Sequence, residues 1–152
     1  MSGRGGGWVV AQFVLMALCF AAVLIPPDWP SGAQGVLTAV GAALAVAGGA
    51  FAIWAGRVLG GGMTAFPKPV EGAPLVESGP YGLVRHPLYS GVLLFFTGWS
   101  LFAGPVALGL TTALGGLWAG KSAVEERYLR RAHPDYDAYA ARVRRRLIPA
   151  VY

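Results

Sequence analysis

Apolar residues along this chain are gathered into four long runs that contain almost no charge. The runs cover residues 8–25, 35–59, 88–103 and 106–120, and Arg57 is the only charged residue within them. A helix that crosses the hydrocarbon core of a bilayer needs about 20 predominantly apolar residues. The pattern therefore predicts a single all-α integral membrane domain over residues 1–152, with about four transmembrane helices.

The third and fourth runs are joined by Gly104 and Pro105, which predicts a tight helical hairpin. Each run extends only about 24 Å, whereas the hydrocarbon core is about 30 Å thick. The two helices are tilted, extended by flanking residues, or not fully spanning, and the sequence leaves these alternatives open.

The first run has a competing interpretation as a cleaved signal peptide. Arg4 precedes it, and residues 31–33 have the small side chains of a cleavage site. We favour a retained helix, because 18 residues is long for the apolar part of a signal peptide.

Small residues recur at a spacing of four in the second run. Residues at this spacing share one face of a helix and allow a second helix to approach closely in lipid. A general abundance of glycine and alanine explains the pattern equally well. The residues in the two rows are Gly48, Ala52, Gly56 and Gly60, and Gly41, Ala45 and Gly49.

Composition and charge strengthen the membrane interpretation and orient the helices. Only 12% of the residues are charged, about half the share of a typical soluble domain. If the N-terminus is internal, all 12 Lys and Arg residues lie on the internal side, and only Asp28 lies outside. Positive residues favour the cytoplasmic side, so we expect a multi-pass cell-membrane protein with both termini cytoplasmic. The basic residues flank apolar runs, which indicates contact with anionic membrane lipids and not with nucleic acid.

Cysteine and histidine usage limits the possible chemistry. Cys19 is the only cysteine and lies in an apolar run, so an intramolecular disulfide is impossible. The two histidines, without a cysteine cluster, form no recognisable metal site.

Two polar segments meet on the internal face, a loop over residues 60–87 and a tail over residues 121–152. Apolar and aromatic residues interrupt the long loop, so we expect it to be ordered and packed. At its end, Pro87 suits the first position of a helix and His86 the preceding cap. The unpaired N–H groups of Leu88 and Tyr89, with Arg85 beside them, favour a carboxylate or phosphate ligand. Alternatively, Arg85 only anchors to lipid phosphate and His86 only caps the helix.

The tail begins with Lys121 and two adjacent carboxylates, Glu125 and Glu126, expected just beyond the fourth apolar helix. Ordinary pairing would join Lys121 to Glu125 and Glu126 to Arg130, both at a spacing of four. The functional alternative is that one carboxylate receives a ligand ammonium.

After His133 and Pro134 the pattern predicts a short amphipathic helix that Pro149 ends. Acidic residues occupy its first turn and arginines lie near its end, which complements the helix dipole. The helix lies on the membrane surface or folds back over the hairpin. Its apolar stripe consists of Tyr136, Tyr139, Val143 and Leu147.

Taken together, these motifs resemble the isoprenylcysteine carboxyl methyltransferase and phospholipid methyltransferase superfamily of membrane enzymes. The resemblance covers roughly residues 60–150 and depends on the order and spacing of several motifs. They are Leu75-Val76, Ser78-Gly79-Pro80-Tyr81, Arg85-His86-Pro87-Leu88-Tyr89-Ser90-Gly91, Glu125-Glu126, and the tail with Tyr136, Tyr139, Val143 and Pro149.

The resemblance implies S-adenosylmethionine as methyl donor and a lipophilic small molecule or lipid as acceptor. The acceptor is a prenylcysteine-like carboxylate or a lipid head group, and no oligomeric state is implied. Arg85 and Glu126 are then the candidate catalytic residues, with Glu126 giving polar help near the acceptor. The candidate cofactor-binding residues are Leu75, Val76, Tyr81, His86, Pro87, Leu88, Tyr89 and Glu125, with Glu125 on the cofactor ammonium.

Two positions depart from the prenylcysteine-specific relatives. Lys121 stands where these carry a substrate-contacting arginine, so Lys121 is the candidate substrate-binding residue but lacks the arginine fork. Ala73 stands where they have histidine.

Two other functions compete with methyl transfer. Membrane sterol reductases have a related C-terminal helical arrangement and bind a nicotinamide cofactor, but they are much longer than 152 residues. A non-catalytic lipid-binding or helical subunit would bind no S-adenosylmethionine tightly.

Overall fold

The computed structural model describes residues 5–30 and 32–147 and contains only helices and connecting segments within them. The expected all-α class is therefore confirmed for this part of the chain. The helices are α1 (Gly6–Ala21), continued by a 3₁₀ turn (Ala22–Leu24), α2 (Gln34–Leu59), α3 (Pro87–Ala103), α4 (Pro105–Ala132) and α5 (Tyr136–Arg142).

Two of these helices are long and apolar enough to cross a membrane, and α3 is a shorter apolar helix. Large apolar side chains on α1 and α2 point outward, among them Val10, Phe13, Val46 and Ile53. This surface suits lipid better than water. A total of four spans stays a prediction.

Helix α4 continues well past its apolar part. The predicted span ended at residue 120, whereas the helix has 28 residues and ends at Ala132. Lys121, Glu125 and Glu126 are therefore helical and do not begin the tail. Lys, Glu, Arg, Leu and Ala all favour helices, so the loss of apolar residues ends the lipid-compatible surface without ending the helix.

Helix α5 is shorter than predicted. It ends at Arg142, so the expected helix is wrong for residues 143–147, and Pro149 lies outside the described residues. The backbone carbonyls of Val143 to Arg146 accept hydrogen bonds from Arg85 and His86. These contacts hold the segment in a non-helical conformation.

The connection between α3 and α4 is a tight turn, as expected. Gly104 adopts a positive φ of 112°, which glycine tolerates far better than other residues. Pro105 follows as the first residue of α4, where its missing N–H has no cost.

Helices α2 and α3 approach closely enough for their backbones to touch. A Cβ atom on Gly91 would lie 2.5 Å from the Ala52 nitrogen, and one on Gly41 would lie 2.6 Å from the Gly98 oxygen. The predicted small-residue face thus exists, but it combines members of both rows, namely Gly41, Ala45, Gly48 and Ala52. Gly60, in contrast, has no neighbour within 4 Å of an added Cβ.

Helix α1 packs on α4, and both contribute with α3 to the hydrophobic core. The buried side chains of Cys19, Phe96, Leu114 and Trp118 form the central cluster. The loop before α3 is ordered, as expected, since Pro67, Tyr81 and Val84 are buried. The Tyr139 hydroxyl donates to the Tyr81 carbonyl over 2.8 Å, which fastens this loop to α5.

We expect Gly91→Ala to destabilise the protein, because the added methyl group separates α2 from α3. Overpacking of this kind costs about 1–3 kcal/mol. Thermal unfolding of the purified protein in detergent measures the effect. Gly116→Ala is the matched control: Gly116 lies in α4 with nothing within 4 Å of an added Cβ, so helix propensity should leave its stability unchanged or higher. Equal unfolding temperatures for the two variants would contradict the close packing.

Candidate active site

The start of α3 is fastened to α4 and to the chain after α5 by a buried carboxylate. Glu126 is 0% exposed. Arg85 donates from Nε to its Oε1 atom over 2.9 Å, and Arg146 donates to both oxygens over 2.9 and 3.1 Å. Burial would raise the pKa of Glu126, but the close contact with His86 and the hydrogen bonds from Arg146 and Arg85 hold it well below its usual value. Glu126 is therefore an anion shared by two arginines.

Residues 143–147, here called the strap, cross the start of α3. The backbone N–H groups of Arg85 and His86 donate to the carbonyls of Arg145 and Arg146 over 2.9 and 3.0 Å. The Arg85 guanidinium also donates to the carbonyls of Val143 and Arg144, each over 2.8 Å. The strap thus lies against the start of α3, and whether α5 also lies on the membrane surface stays a prediction.

Glu125 points away from the arginines. It is partly exposed and accepts a 2.5 Å hydrogen bond from the Tyr89 hydroxyl. His86 Nδ1 lies 3.3 Å from its other oxygen. The two adjacent carboxylates thus have different surroundings, one enclosed by cations and one facing a cavity.

The expected ion pairs of Lys121 with Glu125 and of Arg130 with Glu126 are present, but they are longer than other contacts of the same carboxylates. Lys121 Nζ lies 3.8 Å from Glu125, and Arg130 lies 3.7 Å from Glu126. Both distances exceed those of the contacts that Tyr89 and Arg85 make with the same carboxylates. Ordinary pairing along the helix therefore does not account for the glutamates.

His86 lies between the two carboxylates and is buried. It precedes Pro87 as the helix cap residue, but its side chain makes no capping hydrogen bond. Burial alone would lower the pKa of His86, whereas its close contacts with the Glu125 and Glu126 carboxylates and their negative charges raise it above its usual value. Its Nε2 atom is 3.4 Å from Glu126 but has no hydrogen-bond partner within the described residues.

Lys121 is fully enclosed between α1, the loop and α4. Its ammonium donates to the Gln12 side-chain oxygen over 2.6 Å and to the Ala65 carbonyl over 2.7 Å, and it lies 5.1 Å from the centre of the Tyr89 ring. Because these contacts occupy the ammonium, Lys121 joins three parts of the fold rather than facing a binding cavity. Gln12 was not predicted as a site residue, although it is the only side-chain amide in the first apolar run.

Two adjoining cavities lie between the loop, the start of α3 and the end of α4. The larger, of about 140 Å³, is lined by predicted site residues and by apolar residues of the loop. The smaller, of about 80 Å³, also borders Leu75 and Val76. Tyr81 and Arg85 line both, whereas Pro87 is buried and lines neither. The predicted residues around the larger cavity are Tyr81, Arg85, His86, Leu88, Tyr89 and Glu125.

The part of the chain that forms this site is similar to a known protein family. Residues 36–135 match the phospholipid methyltransferase family. The chain belongs to this family. The expected superfamily is therefore confirmed, and the matched part of this phospholipid methyltransferase family member contains all the predicted site residues. No solved structure matches the chain.

A curated relative is the cobalt-zinc-cadmium resistance protein CzcN of Cupriavidus metallidurans. It is 32% identical over 142 residues, which cover 91% of this chain and 61% of the relative. The chain thus spans about three-fifths of the relative's length.

We expect Glu126→Gln to lower stability by about 3–5 kcal/mol, the usual cost of removing one partner from a buried ion pair. Asp137→Asn is the control, because it removes a carboxylate from an exposed pair with Arg130, which contributes little. Because the folded pKa of Glu126 is depressed, its contribution is present above the unfolded value and is lost as pH falls toward the folded one. Unfolding in denaturant at pH 7 and in acid checks both expectations. Equal stabilities of the two variants at pH 7 would contradict them.

Proposed function

We propose that this protein is an S-adenosylmethionine-dependent methyltransferase that modifies a lipophilic acceptor within the membrane. The observation that carries the proposal is the position of Glu125 beside the first turn of α3. Its carboxylate contacts Tyr89 in that turn and His86 at the cap. A carboxylate and a helix N-terminus facing one cavity complement the ammonium and carboxylate of an amino acid.

The cavity offers a suitable set of groups for this cofactor. His86 and Tyr81 line the cavity, and the Tyr81 ring offers an aromatic surface for a cation. The Tyr89 ring, in contrast, is already stacked with His86 and Trp118. S-adenosylmethionine, when bound, supplies an electrophilic methyl group. Ligand pockets usually measure about 300–1,000 Å³, so a molecule of this size would extend across more than one of the adjoining cavities, which include a third of about 570 Å³ beside the loop.

Arg85 is the residue we propose to face the acceptor. Its Nε and Nη1 atoms are committed to Glu126 and to the strap carbonyls, which leaves Nη2 available. Lys121, which the resemblance placed at the acceptor, already donates to Gln12 and Ala65. In this proposal Lys121 holds the site together and Arg85 orients the acceptor.

The protonation states around the cavity favour a carboxylate as the methyl acceptor. An amine or hydroxyl acceptor needs a general base, whereas a carboxylate needs none. Glu126 is a poor base because His86, Arg146 and Arg85 hold its pKa well below its usual value, and the raised pKa of His86 favours its protonated form. The chain's residues would then align the reactants and exclude water. Methyl ester formation on a prenylcysteine-like carboxylate therefore fits better than methylation of a lipid amine.

The proposed site also fits the topology expected from the charges. The loop, the strap and the charged end of α4 all meet at the side that carries the basic residues. With this side cytoplasmic, the donor would enter from water, and the acceptor would enter from the bilayer past apolar residues such as Leu59 and Leu88.

We expect purified protein in detergent to bind S-adenosylmethionine with measurable heat, and Glu125→Gln to weaken binding at least about tenfold. The reason is loss of a charge-assisted contact, worth about 1.5–3 kcal/mol. Isothermal titration calorimetry measures both. Asp28→Asn is the control, because Asp28 is exposed between α1 and α2 and lines none of the cavities. Absence of binding by the unaltered protein would refute the proposal.

Incubation with methyl-labelled donor and a membrane lipid extract should transfer label into the lipid fraction. If the acceptor is a carboxylate, mild alkali should release the label as methanol, because a methyl ester hydrolyses and an N-methyl group does not. Label that resists alkali would exclude the carboxylate while keeping methyl transfer.

A further inference from the structure

Tyr136 carries a buried hydroxyl group that no contact among the described residues explains. It is the first residue of α5 and is 1% exposed. Within residues 5–30 and 32–147, its hydroxyl has no hydrogen-bond partner. Buried hydroxyl groups are almost always hydrogen-bonded, and each exception calls for an explanation such as a bound ligand or water.

The ring of Tyr136 packs against two neighbouring side chains, whereas its hydroxyl group has no partner among the described residues. The Arg130 guanidinium lies 5.5 Å from the ring centre, and the Tyr139 ring packs edge-on with centres 5.8 Å apart. Tyr139 offers a direct comparison, because its own hydroxyl donates to the Tyr81 carbonyl over 2.8 Å. Two tyrosines of one helix are thus buried side by side, and only one of them has its hydroxyl group satisfied.

Tyr136 lines the smaller of the two cavities, whose other walls are mostly apolar or aromatic. Apolar walls with a few placed polar groups are typical of sites for flat organic ligands. The residues that form these walls include Leu75, Val76, Leu129, Tyr81 and Tyr139.

The smaller cavity continues into the larger one. Leu59, Gly62, Pro69, Tyr81, Arg85 and Leu129 line both. At about 80 Å³, the smaller cavity alone is below the roughly 150 Å³ that accommodates benzene. A ring system with its polar edge at Tyr136 would therefore extend out of this cavity, and the shared wall residues connect it to the larger cavity, where Glu125 lies. The smaller cavity also adjoins a third one of about 570 Å³ through Pro69, Ala73, Pro74 and His133.

We propose that the Tyr136 hydroxyl donates a hydrogen bond to the nucleobase of the methyl donor. This inference rests on the proposed function, because the amino-acid end of the donor is assigned to Glu125 and the opposite end must occupy the adjoining cavity. Tyr136 lies one residue beyond the stretch that matches the family. The hydroxyl group is thus left without a protein partner so that a ring nitrogen can accept from it.

The test compares Tyr136→Phe with two other tyrosine-to-phenylalanine changes, each of which removes one oxygen atom. Tyr139→Phe removes a satisfied hydroxyl group. Tyr128→Phe changes a residue of the neighbouring third cavity, of about 570 Å³, that lines neither of these two. Thermal unfolding without ligand gives the first measurement. Calorimetric binding of S-adenosylhomocysteine, followed by adenosine alone, gives the second.

We expect Tyr136→Phe to unfold at the same temperature as the unaltered protein or at a higher one, since an unsatisfied buried hydroxyl group stabilises nothing. Tyr139→Phe should unfold at a lower temperature. Tyr136→Phe should bind S-adenosylhomocysteine and adenosine about tenfold more weakly, whereas Tyr128→Phe should bind both as the unaltered protein does.

The possible outcomes separate this inference from the proposed function. If the unaltered protein binds S-adenosylhomocysteine and Tyr136→Phe binds it equally well, the hydroxyl serves a water molecule and the inference is wrong. If Tyr136→Phe unfolds at a clearly lower temperature, the hydroxyl has a structural partner and the inference is wrong as well. If the unaltered protein binds neither probe, the proposed function fails together with the inference.

Discussion

Glu126 is the group around which the internal face of this protein is organised. A carboxylate with no exposed surface is costly unless its charge is compensated, and here Arg85 and Arg146 supply the compensation. Arg85 precedes α3 and Arg146 lies in the strap, so one anion on α4 fixes the relative positions of three segments. The strap carbonyls then accept hydrogen bonds from Arg85 and His86. The start of α3, where the candidate site lies, is thus held from both sides.

Glu125, the neighbour of Glu126, has a different role because its side chain leaves α4 in a different direction. Adjacent residues on an α-helix point about 100° apart, so Glu125 cannot share the arginines that surround Glu126. It contacts the Tyr89 hydroxyl and faces the cavity. A fully neutralised anion suits a structural role, whereas a carboxylate at a cavity wall can bind a cationic ligand. This difference between adjacent residues supports the proposed amino-acid end of the methyl donor.

The helices beneath the site combine two kinds of packing. Helices α2 and α3 are in backbone contact through Gly41, Gly91 and Gly98, which leaves little room for large side chains between them. On the other side, α1 is joined to α4 through polar contacts of Gln12 with Lys121 and Trp118. A buried lysine with two direct acceptors is well suited to holding α1 next to the loop that closes the cavity. The membrane helices therefore shape the site as well as anchor it.

The sequence alone determined the helical class, the positions of the long helices, the tight turn at Gly104 and the residues that belong to the family. The spacing of apolar residues and the positions of glycine and proline determine local conformation. The helices and the turn can therefore be predicted without knowledge of the tertiary structure. The end of α5 and the different surroundings of Glu125 and Glu126 were decided by tertiary structure, whereas the continuation of α4 to Ala132 follows from residues that favour helices. Arg85 and Arg146 are far apart in sequence, and no local pattern states that both meet one carboxylate. The unpartnered hydroxyl of Tyr136 was equally hidden, since its apolar stripe predicts burial but not which hydroxyl finds an acceptor.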